Sequence, residues 1–341
     1  MKFSIFGIGS DIGVDLGTHK TRVSLRNGTV ELSEPSVVAV DKINGKVVAV
    51  GLAANEMLGR TPENIVAFCP MQDGVVADMV TAAAMVKEFI GRAGKRASIK
   101  PRVAVSVPCG ITEVERRAVV EVFLTAGARS VVLIEEPMAA AIGAGLPVCD
   151  AVGSMVINVG SGTCEVAIIS VGGIVCARSV RCAGDAMDIS ISNYIKNKYQ
   201  ITISEQSAEE IKMEIGSAQR YDNEKIFTVK GRESTTGLPK NVNVTAEEIR
   251  EAMREGISAI CDAVMETLSE TPPSIAKDLM ENGIVLTGGG ALIKGLDKKI
   301  ESMTGIKTRI ADNPSDCVCE GLRMALDNPT VIERSEVARK I

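Results

Sequence analysis

Apolar residues recur along the chain in two rhythms. Residues 12–16 and 103–107 are short, mostly apolar runs, which predict buried strands. Residues 80–90 instead repeat apolar positions at roughly helical spacing, which predicts an amphipathic helix. Because strand-like and helix-like segments alternate throughout, we expect an α/β protein with helices packed on sheets.

Turn and capping residues predict where several elements begin and end. Asn44-Gly45, between residues 37–40 and 46–50, is a hairpin signal. Gly127 predicts a helix end. Capping boxes predict the starts of three helices, at Thr112…Glu115, Ser207…Glu210 and Thr245…Glu248.

A short pattern occurs twice. Asp15-Leu16-Gly17-Thr18 follows one strand-like run and precedes another, which ends in a turn at Asn27-Gly28. Asn158-Val159-Gly160-Ser161 does the same roughly 140 residues later, with a turn at Gly172-Gly173. Two similar hairpins predict two similar domains that face each other.

Composition limits the possible classes of protein. The chain has 341 residues, enough for two domains, and its 45% hydrophobic content excludes disorder. A net charge of −5 and 3% aromatic residues argue against nucleic-acid binding. Nine scattered cysteines and one histidine argue against a disulfide framework and a zinc site, and favour buried thiols in a reducing cytoplasm.

The sequence shows no membrane span. No apolar run approaches the ~20 residues that a transmembrane helix needs. Residues 1–11 are short and apolar, without a signal-peptide cleavage site. Two interpretations stay open for them: a weak membrane-surface anchor, or a frayed terminus leading into the first strand.

Each glycine hairpin has the composition of a phosphate-binding turn. Glycine lets the backbone approach closely, and exposed amides form a nest for anions. Thr18 and Thr163 can add hydroxyl donors, and Asp15 precedes its turn where a carboxylate suits a hydrated Mg²⁺. For one hairpin alone, an ordinary tight turn is the simpler interpretation.

A third glycine run follows a buried strand. Residues 284–287 lead into Gly288-Gly289-Gly290-Ala291. Three glycines at a strand end suit a flat ligand such as adenine, or a flexible connector. The Walker A pattern and the Rossmann glycine fingerprint are both absent.

Together these motifs resemble the two phosphate loops and the adenosine motif shared by actin, heat-shock chaperones and sugar kinases. Longer stretches are similar to the MreB/Mbl family of bacterial actin-like, rod shape-determining proteins. They are residues 34–39, 57–62, 110–118, 133–147, 208–212 and 237–239. The resemblance extends over residues 11–328.

The resemblance implies a fold and a set of domains. It implies two actin-like α/β lobes, which are duplicated ribonuclease H-like domains, with ATP and Mg²⁺ in the cleft between them. Residues 1–150 would form lobe I with a small subdomain over 33–75, and residues 151–317 lobe II with one over 185–250. A C-terminal helix over 318–341 would return to lobe I.

The resemblance also implies roles for individual residues. Asp15 would be the metal-side carboxylate, and Glu136 would orient the attacking water. The residues expected to contact the nucleotide are Gly17, Thr18, His19, Lys20, Gly160, Ser161, Gly162, Thr163, Ala208, Glu209, Glu210, Ile211, Lys212, Gly288, Gly289, Gly290 and Ala291.

The implied function is an ATP-dependent filament. The chain would polymerise with itself into paired filaments on the inner face of the cytoplasmic membrane, and direct membrane proteins of cell-wall elongation. Two alternatives share the fold: a paralogue that binds ATP but hydrolyses it weakly, and a small-molecule kinase. A chaperone would need a substrate-binding domain after residue 341.

Three positions depart from the family pattern. Asn158 stands where the family has Asp, which predicts slower hydrolysis unless water contacts survive the change. His19-Lys20 replaces Ala-Asn, and Lys20 either pairs with a phosphate or points to solvent. The basic segment 91–101 replaces an apolar membrane-touching loop, so it either binds anionic headgroups or is a solvated loop.

Overall fold

A computed structural model describes residues 11–25, 30–93, 100–334 and 336–339. These residues form two compact units, which we describe in turn. The first unit runs to Val152 and includes Ile169–Ile174 and the residues from Ser315 onward. The second comprises Gly153–Ile168 and Val175–Pro314.

The first unit contains three sheets and their helices. Its strands up to residue 152 are β1 (Ile12–Leu16), β2 (Lys20–Leu25), β3 (Val30–Pro35), β4 (Val38–Asp41), β5 (Val47–Val50), β6 (Ile65–Phe68), β7 (Met71–Gln72), β8 (Val75–Val76), β9 (Arg102–Val107) and β10 (Ser130–Glu135). Its helices there are α1 (Leu52–Asn55), α2 (Met79–Ala93), α3 (Glu113–Thr125) and α4 (Glu136–Gly143).

The second unit has the same alternation of strands and helices. Its strands are β11 (Ser154–Val159), β12 (Cys164–Ser170), β13 (Gly173–Val180), β14 (Ile201–Thr202), β15 (Ile226–Glu233), β16 (Pro239–Thr245), β17 (Ile284–Thr287) and β18 (Thr308–Ile310). Its helices are α5 (Gly184–Tyr199), α6 (Glu205–Ile215), α7 (Ala246–Ala252), α8 (Arg254–Ser269), α9 (Pro273–Asn282) and α10 (Leu296–Thr304), with a 3₁₀ turn at Gly289–Leu292.

The C-terminal part of the first unit differs from the prediction. A single helix over 318–341 is wrong, because the chain forms α11 (Cys317–Ala325), α12 (Pro329–Arg334) and β19 (Glu336–Arg339). Pro329 lacks an amide hydrogen and disfavours helical backbone in the residue before it, so it separates the two helices. The strand β19 then pairs antiparallel with β10.

The two main sheets repeat one topology, in agreement with the two similar domains that the repeated hairpin predicts. The order β3-β2-β1-β9-β10 in the first unit corresponds to β13-β12-β11-β17-β18 in the second, and β19 extends the first sheet. In the first sheet, β1 pairs antiparallel with β2 and parallel with β9. In the second, β11 pairs parallel with β17. The duplicated α/β architecture is confirmed.

Each unit has its own apolar core. In the first, Phe89 of α2 and Phe123 of α3 are fully buried together with the β9 valines Val103 and Val105. In the second, isoleucines from β11, β12, α5 and α8 form a continuous cluster. Aliphatic side chains therefore supply most of both cores, as the low aromatic content requires, and the two phenylalanines add to the first.

Capping decides where several helices begin. At α3, Thr112 Oγ1 accepts from the Glu115 amide, and Glu115 Oε2 accepts from the Thr112 amide at 2.7 Å. Thr245 and Glu248 form the same box at α7, so both predictions are confirmed. The predicted cap at Ser207 is wrong. Helix α6 starts one turn earlier, where Ser204 Oγ accepts from the Ser207 amide at 3.2 Å.

Two helices of the first unit approach closely through glycine. A Cβ on Gly321 of α11 would overlap the carbonyl oxygen of Ala139 in α4, and a Cβ on Gly143 would overlap the carbonyl of Cys317. The absence of side chains at these two positions therefore lets α11 lie against α4. This contact fixes α4, whose first residue is Glu136.

Some predicted features lie outside the described residues. They are the turn at Asn27-Gly28, residues 1–10 of the N-terminal segment and residues 94–99 of the basic segment. Within the part of the chain that the structure describes, no helix combines the length and hydropathy required to span a bilayer.

Candidate functional site

The first hairpin places Asp15 among three polar side chains. Asp15 lies near the end of β1 and is 13% exposed. Ser106 of β9 donates to its Oδ1 at 3.0 Å, and Arg22 of β2 lies 3.6 Å from its Oδ2. Arg22 Nε is also 3.1 Å from Asp316. The carboxylate is therefore fixed from both neighbouring strands.

Burial and charge act in opposite directions on Asp15. Burial raises its pKa above the usual value, and the Arg22 guanidinium and the Ser106 hydroxyl oppose that rise. The nearby Asp316 adds to it. An additional cation at Asp15 would favour the ionised form for the same Coulombic reason as Arg22 does.

The turn after Asp15 is shaped by its own backbone. A Cβ on Gly17 would lie 2.6 Å from the Lys20 carbonyl oxygen, so glycine is required there whether or not a ligand binds. Thr18 is buried, and its Oγ1 accepts from the Gly74 amide at 3.0 Å. The His19 carbonyl accepts from the Ser36 amide at 2.8 Å. Lys20 is exposed.

The second hairpin repeats this geometry with an amide in place of the acid. Asn158 is 3% exposed, and Thr287 of β17 donates its hydroxyl to Asn158 Oδ1 at 3.1 Å. Because β17 corresponds to β9, Thr287 is the equivalent of Ser106. The Gly160 amide closes the turn on the Thr163 carbonyl at 2.8 Å. Gly162 and Thr163 are buried, and Ser161 is half-buried.

The third glycine motif packs directly on the second hairpin. Gly288 has φ +80°, and a Cβ there would overlap the backbone of Val159. A Cβ on Gly290 would overlap the Val159 side chain. Gly289 is exposed, whereas Ala291 is fully buried. The structure thus brings the Gly160–Thr163 turn and the Gly288–Ala291 turn together.

The α6 residues expected at the nucleotide divide between core and surface. Ala208 and Ile211 are fully buried in the core of the second unit, so their side chains are not accessible to a ligand. Glu209 and Glu210 are exposed. Lys212 points inward and pairs with Asp188 of α5 at 2.6 Å.

Glu136 begins α4 directly after strand β10. It is 9% exposed, whereas Glu135 before it is half-buried. Pro137 follows at the start of the helix, where a missing amide hydrogen costs nothing. The side chain therefore lies at the carboxyl end of a buried strand, where α/β proteins usually place functional groups.

The sequence interpretation missed two partners. Ser106 is the one hydroxyl residue in the mostly apolar strand β9. A single polar residue in such a strand is a sequence signal that could have indicated a polar partner. Asp188 lies one helical turn after Asp185 in α5, but its pairing with Lys212 depends on how α5 and α6 pack. No sequence spacing indicates that contact.

The donor set suits Mg²⁺ bound with phosphates better than a site made by protein alone. The described residues contain no cluster of three or more His, Cys, Asp or Glu that could hold a metal ion. Mg²⁺ is commonly bound by one or two carboxylates, with phosphate and water oxygens completing its shell. Asp15 supplies one such carboxylate, so these residues fit the ion in that form.

Comparison with known proteins decides the family. The model of the family described as MreB/Mbl protein matches residues 9–334. Cell shape-determining protein MreB of Escherichia coli (strain K12) is 47% identical over 324 residues, which are 93% of each chain. The chain belongs to the MreB/Mbl family. A second relative, Mbl of Bacillus subtilis (strain 168), is 41% identical over 93% of this chain and 96% of that protein.

Solved structures show the same fold for this MreB/Mbl chain. MreB5 of Spiroplasma citri bound to ADP has a TM-score of 0.89 at 37% identity, covering 95% of this chain and 98% of that one. The MamK double helical filament has a TM-score of 0.79 at 20% identity, covering 94% and 99%. The actin-like fold expected from the glycine motifs is confirmed.

Proposed function

We propose that this MreB/Mbl chain binds ATP with Mg²⁺ and assembles into filaments that determine cell shape. The proposal depends chiefly on one observation, the pair of equivalent hairpins. Each ends in a glycine turn beside a largely buried polar side chain that accepts from a hydroxyl on the neighbouring parallel strand. Two solved MreB5 structures, bound to ADP and to AMPPNP, support the nucleotide part.

Backbone amides supply most of the proposed phosphate contacts. The Gly17–Lys20 and Gly160–Thr163 turns offer backbone amides, the glycines among them without side chains, and Thr18 and Thr163 contribute hydroxyls. The Gly288–Ala291 turn accepts the adenosine, with Glu209 and Glu210 at its ribose. Mg²⁺, when bound with the phosphates, neutralises their charge, and Asp15 is the residue that would hold it through oxygen.

Hydrolysis is proposed to depend on Glu136 and to be slow. Glu136 orients a water for attack, as a carboxylate at a strand end can when it lies within hydrogen-bond reach. Asn158 contributes no charge where the family has a carboxylate. This observation favours the second candidate function as well, a filament modulator that binds ATP and hydrolyses it weakly.

Assembly and location complete the proposal. Head-to-tail contacts between identical subunits give an open polymer when the rotation from one subunit to the next does not close a ring. The MamK double helical filament shows that a protein of this fold forms paired strands. We propose that filaments of this chain lie on the inner face of the cytoplasmic membrane and direct the membrane proteins of cell-wall elongation. The names of the cell shape-determining relatives support the cell-shape role alone.

One sample tests binding, assembly and hydrolysis. The full chain is incubated with Mg²⁺ and ATP, then followed by light scattering, by phosphate release, and by negative-stain microscopy on an anionic lipid monolayer. We expect filaments on the monolayer with ATP and slow phosphate release. Absence of filaments at any ATP concentration would contradict the filament, and absence of ATP binding would contradict the whole proposal.

A matched pair of variants tests Glu136. Glu136→Gln should leave assembly with ATP intact and lower phosphate release by about 10²-fold or more, the usual effect of losing a positioned acid-base group. Glu135→Gln changes the neighbouring carboxyl group by the same chemistry and should leave the rate within about twofold of wild type. Equal effects of the two variants would remove Glu136 from the proposed mechanism.

A further inference from the structure

Arg22 lies between two acidic side chains of the first unit. Its Nη1 is 3.6 Å from Asp15 Oδ2, and its Nε is 3.1 Å from Asp316 Oδ1. The other oxygen of Asp15 accepts from the Ser106 hydroxyl. The side chains of Arg22 and Asp15 are only 16% and 13% exposed. A permanent cation therefore already faces the carboxylate that is proposed to hold Mg²⁺.

Strand pairing holds the arginine beside the acid. Asp15 of β1 and Arg22 of β2 are directly opposite each other in the antiparallel register. Residues in such positions carry their side chains on the same face of the sheet, with Cβ atoms about 4.5–5.5 Å apart. Asp316, directly before α11, engages the same guanidinium group. The proximity of the two charges thus follows from the register of the sheet and requires no ligand.

We propose that Arg22 sets how strongly nucleotide binding depends on Mg²⁺, by competing with the ion for the negative charge of Asp15. Without the ion, the guanidinium group neutralises part of the carboxylate charge. With the ion, it repels a second cation from the same carboxylate. Nucleotide binding is therefore less dependent on Mg²⁺ than it would be with Asp15 alone. The inference rests on the proposed function, in which Asp15 lies on the metal side of the phosphates.

The effect of an arginine on a proton indicates the size of the competition. A positive charge this close weakens the affinity of a carboxylate for a proton by about tenfold or more. Mg²⁺ carries twice the charge of a proton but usually keeps several waters, which separate it from neighbouring charges. Because the pair is largely buried, salt screens it only weakly. We therefore expect loss of the guanidinium group to strengthen the Mg²⁺ dependence by about tenfold.

The test compares nucleotide affinity with and without the ion. Binding of ADP to the full chain is measured in excess Mg²⁺ and in EDTA, at a mildly alkaline pH that keeps Asp15 ionised. The ratio of the two affinities is the Mg²⁺ dependence. Since Mg²⁺ binds free ADP equally in every sample, differences between variants report on the protein. We expect Arg22→Met to raise the ratio about tenfold, and Arg22→Lys, which keeps the charge, to stay within about threefold of wild type.

Two further variants complete the design. Arg178→Met is the matched control, because Arg178 also lies between two carboxylates, Glu266 and Glu270, neither of which is a proposed ligand. Its ratio should stay within about twofold of wild type. Asp316→Asn removes the acid that shares Arg22, so more of the arginine charge acts on Asp15 and the ratio should fall about threefold. Asp316 is 41% exposed, so this variant decides if Arg22→Met does not fold.

The other outcomes are equally informative. An unchanged ratio in Arg22→Met would overturn the inference, even if the affinity for ADP fell equally in both conditions. A ratio that rises as much in Arg22→Lys as in Arg22→Met would overturn it too, since charge would then not be the cause. An unchanged or higher ratio in Asp316→Asn would do the same. A wild-type protein that binds ADP in neither condition would instead refute the proposed function.

Discussion

Asn158→Asp places at a buried position the acid that the family resemblance predicts there. Asn158 is 3% exposed and accepts from the Thr287 hydroxyl. The hairpin register that joins Gly160 to Thr163 also places Glu165, which is fully buried, across from residue 158. The substitution therefore introduces a carboxyl group opposite a second carboxyl group inside the sheet.

The expected cost follows from these contacts. An uncompensated buried charge costs several kcal/mol, and the carboxyl at 165 adds repulsion that favours a shared proton. A hydroxyl that donates to a charged oxygen returns ~1.5–3 kcal/mol. We therefore expect the nucleotide-free variant to lose about 2–4 kcal/mol of unfolding free energy. Mg²⁺ with nucleotide supplies a cation and should reduce that loss, while phosphate release becomes faster.

Calorimetric and denaturant unfolding, with and without Mg²⁺ and AMPPNP, measure the loss of unfolding free energy. Phosphate release measures the expected increase in hydrolysis rate. Asn243→Asp is the matched control, because Asn243 also accepts from a threonine hydroxyl, at 2.9 Å, but is exposed. Adding Glu165→Gln to Asn158→Asp should recover much of the lost stability. An Asn158→Asp variant as stable as wild type without nucleotide, or one with no gain in rate, would refute the reasoning.

Other predictions concern packing, capping and pH. Gly321→Val should lower the free energy of urea unfolding by more than ~3 kcal/mol, because the new side chain would overlap Ala139. Gly91→Ala, which lies in open space on α2, should stabilise the protein by ~0.5–1 kcal/mol. Similar values for the two variants would contradict the close helix contact. Thr112→Ala should cost ~1 kcal/mol through the lost capping box, and Thr125→Ala on the same helix much less. Burial raises the pKa of Asp188 to about 6 despite Lys212. Since the folded state then binds this proton more tightly than the unfolded chain does, the stabilisation is full below about pH 4 and is lost as pH rises through about 6. Asp188→Asn should flatten that slope, and an unchanged pH profile of unfolding would contradict it.

Local signals in the sequence predicted the elements well. The alternation of apolar runs located β1, β9 and α2, and Asn44-Gly45 located the hairpin of β4 and β5. The repeated Asp/Asn-x-Gly pattern predicted two similar domains, and the main sheets of the two units have corresponding strand orders. These features depend on residues close together in the chain.

Contacts between distant segments were not predictable in the same way. Ser106 reaches Asp15 across 91 positions, and Lys212 reaches Asp188 only because α5 and α6 pack side by side. The false cap at Ser207 shows the limit within one element. Ser204 precedes it by three residues and can satisfy the Ser207 amide, so two serines compete for one helix start.

The duplicated hairpins allow Asn158 to be compared with the equivalent residue of the first unit, Asp15. At equivalent places, the first hairpin sets Asp15 across from Arg22, and the second sets Asn158 across from Glu165. Ser106 donates to Asp15, and Thr287 donates to Asn158 in the same way. The hydroxyl contact is therefore common to both repeats, whereas the negative charge occurs only in the first. In the first repeat a cation compensates the acid. In the second, an amide avoids two adjacent buried carboxyl groups. We therefore expect the position that is proposed to slow hydrolysis to be also the position at which an amide stabilises the nucleotide-free fold.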